Sequence, residues 1–275
     1  EFAFSAYDFS VLAGLVHRQT GIVLGNHKRD MLYARLTPRI RQLGLGSFRA
    51  YVQHLNGAGG DSEIGFMVNA LTTNLTRFFR EPAHLDHLRD VTIPQALAAQ
   101  SPGKELRMRI WSAGCATGEE PYSIAMVMRS CLENSHGIDA KILATDLDTA
   151  VLEKARTGLY PFESTEKIPE LYRKRYIQRS SRKSQACRVH QDVRRYVSFK
   201  YLNLLNNWPM RGPFDAIFCR NVMIYFDPET KAGLVERYCR LLKPGGFLYL
   251  GHSETLMQLE RGLERAGSSI YRKID

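Results

Sequence analysis

Apolar residues fall at helical spacing over residues 1–73, then in short separated runs between residues 108 and 250. The first pattern predicts amphipathic helices and the second predicts buried strands joined by helices. Tyr7–His17 is the first helical stretch, with Asp8 or Ser10 as its cap, and Gly21 and Gly25 mark a break. Asn26–Leu43 then places Leu32, Leu36, Ile40 and Leu43 on one face. Pro38 lies inside it and predicts either a kink or a new turn capped by Thr37. Ser47–Leu55 and Asp61–Leu71 complete a small bundle, with Ser47 and Asp61 in N-cap positions.

The strand-like runs are Met108–Trp111, Lys141–Thr145, Ala216–Cys219 and Phe247–Leu250, separated by helical stretches. That alternation predicts βαβ units and a parallel sheet. Lys243-Pro-Gly-Gly246 reads as a turn before the last of these strands. Residues 156–202 interrupt the alternation with a basic stretch from Arg173 to Arg195, and they read as an insertion. The partial alternation of Val189–Phe199 predicts a β-hairpin arm within it. The expected organisation is a helical domain over 1–73, a connector over 74–90, and an α/β domain over 91–275 that carries the insertion.

Arg109-Ile-Trp-Ser-Ala-Gly-Cys-Ala-Thr-Gly-Glu-Glu-Pro-Tyr-Ser-Ile-Ala-Met126 reads as strand, small-residue turn and helix. Such a turn sits where open α/β sheets bind ligands. Gly114 and Gly118 are four apart, and Glu119 and Glu120 stand where a pyrophosphate would need room. Two carboxylates disfavour a phosphate-bearing dinucleotide and favour a cationic, hydroxyl-rich ligand. S-adenosylmethionine combines a sulfonium, an α-amino group and a ribose diol.

Asp146 ends the second strand, where an acid accepts hydrogen bonds from a ribose diol, and Asp148 is the better helix cap. Cys219-Arg-Asn-Val-Met-Ile-Tyr225 follows the third strand, which places Arg220, Asn221 and Tyr225 at the carboxyl edge of the sheet. The Asn/Asp-Pro-Pro-Tyr motif of many base-nitrogen methylases is missing there. Asn74, Thr76 and Arg80 are polar positions in the connector, beside the packing residues Phe78 and Phe79. Lys28, Arg35 and Arg39 form a stripe on the second helix, with Arg29 on its other flank. The single acid Asp30 leaves that stripe without i,i+4 partners and open to an acidic helix. His252 is the histidine nearest the expected site, and nothing resembles a Ser/His/Asp or Cys/His nucleophile system.

The formal net charge of +10 implies an acidic partner without naming it. Cys115, Cys131, Cys187, Cys219 and Cys239 are scattered, so the expected compartment is reducing and cytosolic and no metal site is expected. No apolar run reaches the roughly 20 residues of a membrane span. Phe2–Phe4 is too short for a signal peptide and Asp8 interrupts it, so no direct membrane insertion is expected.

Six blocks of this sequence closely resemble the bacterial chemotaxis receptor glutamate O-methyltransferases, the CheR family. They are His27-Lys-Arg-Asp-Met31, Thr73-Asn-Leu-Thr-Arg-Phe-Phe-Arg-Glu81, Trp111 through Ser123, Ala144-Thr-Asp-Leu-Asp148, Phe214 through Asp227, and Leu242 through Glu254. The resemblance implies a Rossmann-like S-adenosylmethionine-dependent methyltransferase sheet, a helical N-terminal domain and an inserted antiparallel β-subdomain. It implies that Asn74, Thr76, Arg80, Glu119, Asp146, Asn203, Leu204, Asn221 and Val222 line the cofactor site, which Gly114 joins from the reading of the turn. Arg80 and Tyr225 match positions near the transferred methyl group. Lys28, Arg29, Arg35 and Arg39 match the face that reads the receptor's cytoplasmic methylation helices. The implied reaction forms glutamate methyl esters and S-adenosylhomocysteine, at receptor arrays on the cytoplasmic side.

One stretch departs from the family. Members that tether to a C-terminal receptor pentapeptide carry a glycine-rich loop in the β-subdomain. Here Arg179–Cys187 is shorter and has no glycine, which leaves strand pairing with a tether open. Two other readings compete. The net charge admits a nucleic-acid methyltransferase, but no RNA-binding motif is present, so no nucleic acid is expected. A non-catalytic ligand-sensing module on the same fold conflicts with the intact set Gly114, Gly118, Glu119, Asp146 and Asn221.

Overall fold

The computed structural model describes all residues except 102–103, 180, 182–184, 257–261 and 275. It separates into two compact units. The first comprises Glu1–Thr73, Asn203–Leu205 and Tyr225–Lys231, and the second comprises Asn74–Leu202, Asn206–Ile224 and Ala232–Asp275.

The first unit is built on α1 (Ala6–Thr20), α2 (Arg29–Gln42), α3 (Phe48–Leu55) and α4 (Gly60–Leu71). Leu12, Leu32, Leu36, Ile40, Phe48, Tyr51 and Met67 close its core. Ser47 caps α3 by accepting the Ala50 N–H, as its spacing predicts. The other caps differ from expectation. Ser5 caps α1 in a capping box whose N3 member is Asp8. Gly59, in the left-handed region at φ 86°, precedes α4, so Asp61 lies in the first turn and not at the cap. Pro38 sits inside one continuous α2, so Thr37 starts no new helix.

The second unit holds a seven-stranded sheet in the order β6-β2-β1-β7-β8-β10-β9. Its strands are β1 (Leu106–Ala113), β2 (Ile138–Asp146), β6 (Val197–Tyr201), β7 (Phe214–Cys219), β8 (Leu242–Leu250), β9 (Leu263–Gly267) and β10 (Ile270–Lys273). The pairs from β6 through β8 are parallel, and β10 runs antiparallel to both β8 and β9. β7 is buried at every position, as a central parallel strand requires. The strand order reverses between β1 and β7, whose Ser112 and Phe218 are register partners. Ligands bind outside the carboxyl ends of the strands at such a switch point. Helices α5 (Pro82–His87) and α6 (Ile93–Ala98) precede β1, α7 (Glu119–Cys131) follows it, and α8 (Thr149–Thr157) follows β2.

Two elements of the insertion differ from the sequence pattern. β3 (Leu159–Pro161), β5 (Ala186–Val189) and β4 (Ile177–Arg179) form a separate antiparallel sheet. Val189–Phe199 is not a hairpin arm. It leaves that sheet, makes a short helix at Gln191–Arg194, and joins the main sheet as β6 beside β2. The alternation there belongs to an edge strand, which a hairpin arm imitates. Likewise, Lys243–Gly246 lies within β8, at a register shift that sets Leu242 against Phe214 and Phe247 against Ala216. Part of the glycine-free stretch expected to bear on a tether, at 180 and 182–184, lies outside the described residues.

Candidate active site

The turn after β1 is built from residues that tolerate unusual backbone. Gly114 and Gly118 take φ values of 84° and 95°, and Ala116 takes 46°. A side chain at Gly114 would place its Cβ 2.3 Å from Val222 Cγ2, so the β7 loop packs directly on this glycine. Four main-chain donors of the turn are engaged within the protein. Gly114 and Cys115 donate to the Thr145 carbonyl, Gly118 donates to Cys115, and Ala116 donates to Asp146 Oδ2 at 2.8 Å. The ligand-facing character of this turn therefore comes from carboxylates more than from bare N–H groups.

Asp146 and Glu119 are each only 8% exposed. Asp146 Oδ1 accepts the Asp148 N–H at 2.9 Å. Glu119 Oε2 accepts the Thr117 hydroxyl at 2.6 Å. Burial raises the pKa of both acids, since low-dielectric surroundings disfavour the charged form. A cationic, hydroxyl-bearing ligand relieves that cost by supplying a counter-charge and hydroxyl donors, while each carboxylate oxygen keeps a second lone pair. The donor set fits S-adenosylmethionine and opposes a phosphate.

The connector is tied to the same strand ends. Asn74 Nδ2 donates to Asp148 Oδ2 at 2.7 Å, and Asp148 Oδ1 caps α8 by accepting the Ala150 and Val151 N–H groups. Phe79 N–H donates to Ser123 Oγ at 3.0 Å. Arg80 Nη1 donates to the Leu75 carbonyl at 3.0 Å. Thr76, in the same segment, is half-buried. After β7, Asn221 adopts φ 60°, and its N–H is held by Glu254. Asn74, Thr76, Arg80, Gly114, Glu119, Asp146, Asn221 and Val222 thus all lie in the α/β unit.

Other expected site residues fall in the helical unit. Asn203 is buried there, donating to the Gln19 carbonyl at 2.6 Å and accepting the Leu205 N–H at 3.0 Å. Leu204 is buried beside it in sequence, and the Tyr225 carbonyl accepts the Val23 N–H at 2.8 Å. The basic stripe is not without acid partners. Arg39 clasps the buried Glu63 through Nε at 3.0 Å and Nη2 at 2.6 Å, and it lies over the Phe66 ring. Arg35 donates to the Thr72 carbonyl at 2.7 Å, and Arg29 donates to the Phe4 carbonyl. Helical spacing along α2 alone could not reveal these partners, because they come from other segments.

Two charged residues gain a place that spacing did not give them. Arg220, with a side chain 2% exposed, binds Glu81 and Glu120 at 3.2 Å each. Glu254 accepts three main-chain N–H groups. The sequence signal is a charge close after an apolar strand, at once for Arg220 and four residues on for Glu254. Glu81, His84 and His252 bring donor atoms within 4.8 Å of one another. The Arg220 guanidinium already occupies Glu81, setting a cation where a metal would need the carboxylate.

Comparison with known proteins agrees with this architecture. Residues 74–272 match the family model described as CheR methyltransferase, SAM binding domain, and residues 7–72 match CheR methyltransferase, all-alpha domain. The chain belongs to the CheR methyltransferase family. It is 43% identical to the chemotaxis protein methyltransferase of Escherichia coli, over 98% of this chain and 91% of that one. It is 42% identical to chemotaxis protein methyltransferase 2 of Pseudomonas aeruginosa, over 98% and 94%. The Salmonella typhimurium chemotaxis protein methyltransferase is 41% identical, over 98% and 91%. As a member of the CheR family, the protein is an S-adenosylmethionine-dependent methyltransferase. Among the described residues, no helix is long and apolar enough to cross a membrane.

Proposed function

We propose that this CheR-family enzyme methylates glutamate side chains of methyl-accepting chemotaxis receptors, forming the methyl esters used in sensory adaptation. The observation that carries this reading is near full-length similarity to proteins named for chemotaxis methylation. Bound S-adenosylmethionine supplies an electrophilic methyl group. The acceptor needs no activation, because a free glutamate, with a pKa near 4.3, is ionised at neutral pH. The protein's task is then to position and desolvate the carboxylate. Glu119, Asp146, Asn74, Thr76, Arg80, Asn221 and Val222 of the α/β unit hold the cofactor, and Gly114 gives the loop after β7 its close approach. The Tyr225 hydroxyl, which matches a family position near the transferred methyl group, is assigned to orienting the acceptor carboxylate.

The receptor's acidic methylation helices suit a protein of net charge +10, since opposite charge steers encounter. Arg39 is committed to Glu63, whereas Arg35 and the exposed Arg29 donate to main-chain carbonyls, which leaves their charge to attract an acidic helix. The site of action is the cytoplasmic side of the receptor array. Incubating the enzyme with labelled S-adenosylmethionine and receptor-containing membranes tests the proposal. Label released as methanol by mild base from the receptor supports it. Label confined to nucleic acid, or none on the receptor, rejects it.

A further inference from the structure

Arg80 sits between two residues with left-handed backbone: Phe79 at φ 51° and Glu81 at φ 50°. Neither is glycine, so this stretch is unfavourable alone and persists only where its surroundings over-determine it. Its restraints are few and specific. Ser123 Oγ takes the Phe79 N–H. Arg80 Nη1 donates to the Leu75 carbonyl, the Glu81 carbonyl accepts the His84 N–H at 3.1 Å, and the Glu81 carboxylate accepts the His252 N–H at 3.5 Å, but one side chain reaches both Arg80 and Glu81. Arg220 Nη2 donates to the Arg80 carbonyl, and Arg220 Nε donates to Glu81 Oε2 at 3.2 Å.

The remaining arm of the same guanidinium, Nη1, donates to Glu120 Oε2 at 3.2 Å. Glu120 stands in the first turn of α7, and its Oε1 accepts the Ser112 hydroxyl of β1 at 2.7 Å. The fork therefore joins the connector to the strand–turn–helix that forms the ligand crevice. Arg220 itself directly follows β7, at the switch point of the sheet. With a side chain 2% exposed, it offers no free donor surface to a substrate.

We propose that Arg220 is a positioning residue for methyl transfer: it fixes the strained Phe79–Glu81 backbone that presents Arg80. This rests on the role given to Arg80 above. A lysine keeps the charge but has no planar fork that reaches a carbonyl and two carboxylates at once. The alternative is that Arg220 only neutralises two buried acids, which would affect folding without acting through Arg80.

A double-mutant cycle separates these readings. S-adenosylhomocysteine affinity is measured by calorimetry for wild type, Arg80→Ala, Arg220→Lys and the double variant, with turnover on receptor membranes alongside. Each single variant is expected to weaken binding about 10-fold, and Arg220→Lys to lower turnover about 100-fold, the scale of a small misplacement. The double variant should be no worse than Arg80→Ala, because Arg220 acts through it. Wild-type behaviour of Arg220→Lys, or multiplying losses in the double variant, overturns the positioning role. Wild-type behaviour of Arg80→Ala overturns the Arg80 reading as well and so marks a different failure. If Arg220→Lys fails to fold, the same cycle runs in a Glu120→Gln background, which removes the acid that lysine leaves under-bonded.

Discussion

The Glu254 carboxylate accepts the main-chain N–H of Asn221 at 2.7 Å. It also takes the N–H groups of Gly251 at 2.7 Å and Ile224 at 3.1 Å. One buried acid thus joins the loops after β7 and β8 and holds Asn221 at φ 60°. Glu254→Ala would leave these donors unpaired. We expect a loss of about 3 kcal/mol in a urea melt, with weaker S-adenosylhomocysteine binding as the Asn221 loop relaxes. Unchanged stability would show that the three hydrogen bonds are dispensable.

Gly114 and Val222 make a second loop contact that can be tested by exchange of volume. Gly114→Ala sets a methyl group 2.3 Å from Val222 Cγ2 and also strains a φ of 84°. The variant should bind S-adenosylhomocysteine at least 10-fold more weakly. Adding Val222→Ala should restore part of the loss, because it removes the clash but not the backbone strain. Calorimetry on the pair decides: no recovery would place the defect elsewhere.

Burial, with the Arg220 guanidinium nearby, pushes the His84 imidazole down to about 4. Its unfolded value is near 6.5, so the unfolded chain takes up a proton first as pH falls. Above pH 6.5 both states are neutral and His84 adds no pH dependence. Between 6.5 and 4 its contribution is progressively lost, to a total of about 3 kcal/mol. His84→Gln should therefore flatten the decline of stability over that window. Parallel curves for the two proteins would contradict the shift.

Glu119 and Asp146 have pKa values raised by burial, and a cationic ligand requires them ionised. Affinity for S-adenosylmethionine should fall on acidification, beginning above the ordinary carboxylate range. Asp146→Ala should cost about 1–3 kcal/mol of binding at neutral pH. Part of that loss comes from freeing the Ala116 and Asp148 N–H groups that Asp146 now accepts. Titrations across pH on wild type and variant check both statements.

The parts of this fold most legible in the sequence are those whose physics is local. β7 from Ala216 onward and the end of β8 are apolar because both faces are buried, and the turn from Gly114 to Gly118 announces itself by glycine. Asp148 is readable as a cap because its partners lie two and three residues away. What spacing hides is non-local. The β9–β10 hairpin has no long apolar run, as Leu263–Gly267 is largely exposed. β6 alternates like a hairpin arm yet joins β2. Arg220 meets Glu81 across 139 positions, and Arg39 meets Glu63 across 24, so neither pairing can be inferred from neighbours along the chain. The cofactor-site expectations for Asn203, Leu204 and Val222 came from family resemblance and from no pattern in the residues themselves.

The central claim is the transfer of a methyl group to a receptor carboxylate. Purified enzyme, labelled S-adenosylmethionine and receptor membranes should yield receptor-bound label that mild base releases as methanol. Tyr225→Phe should lower that yield while S-adenosylhomocysteine binding stays intact. A cofactor-saturated enzyme that leaves the receptor without base-labile label would contradict the account.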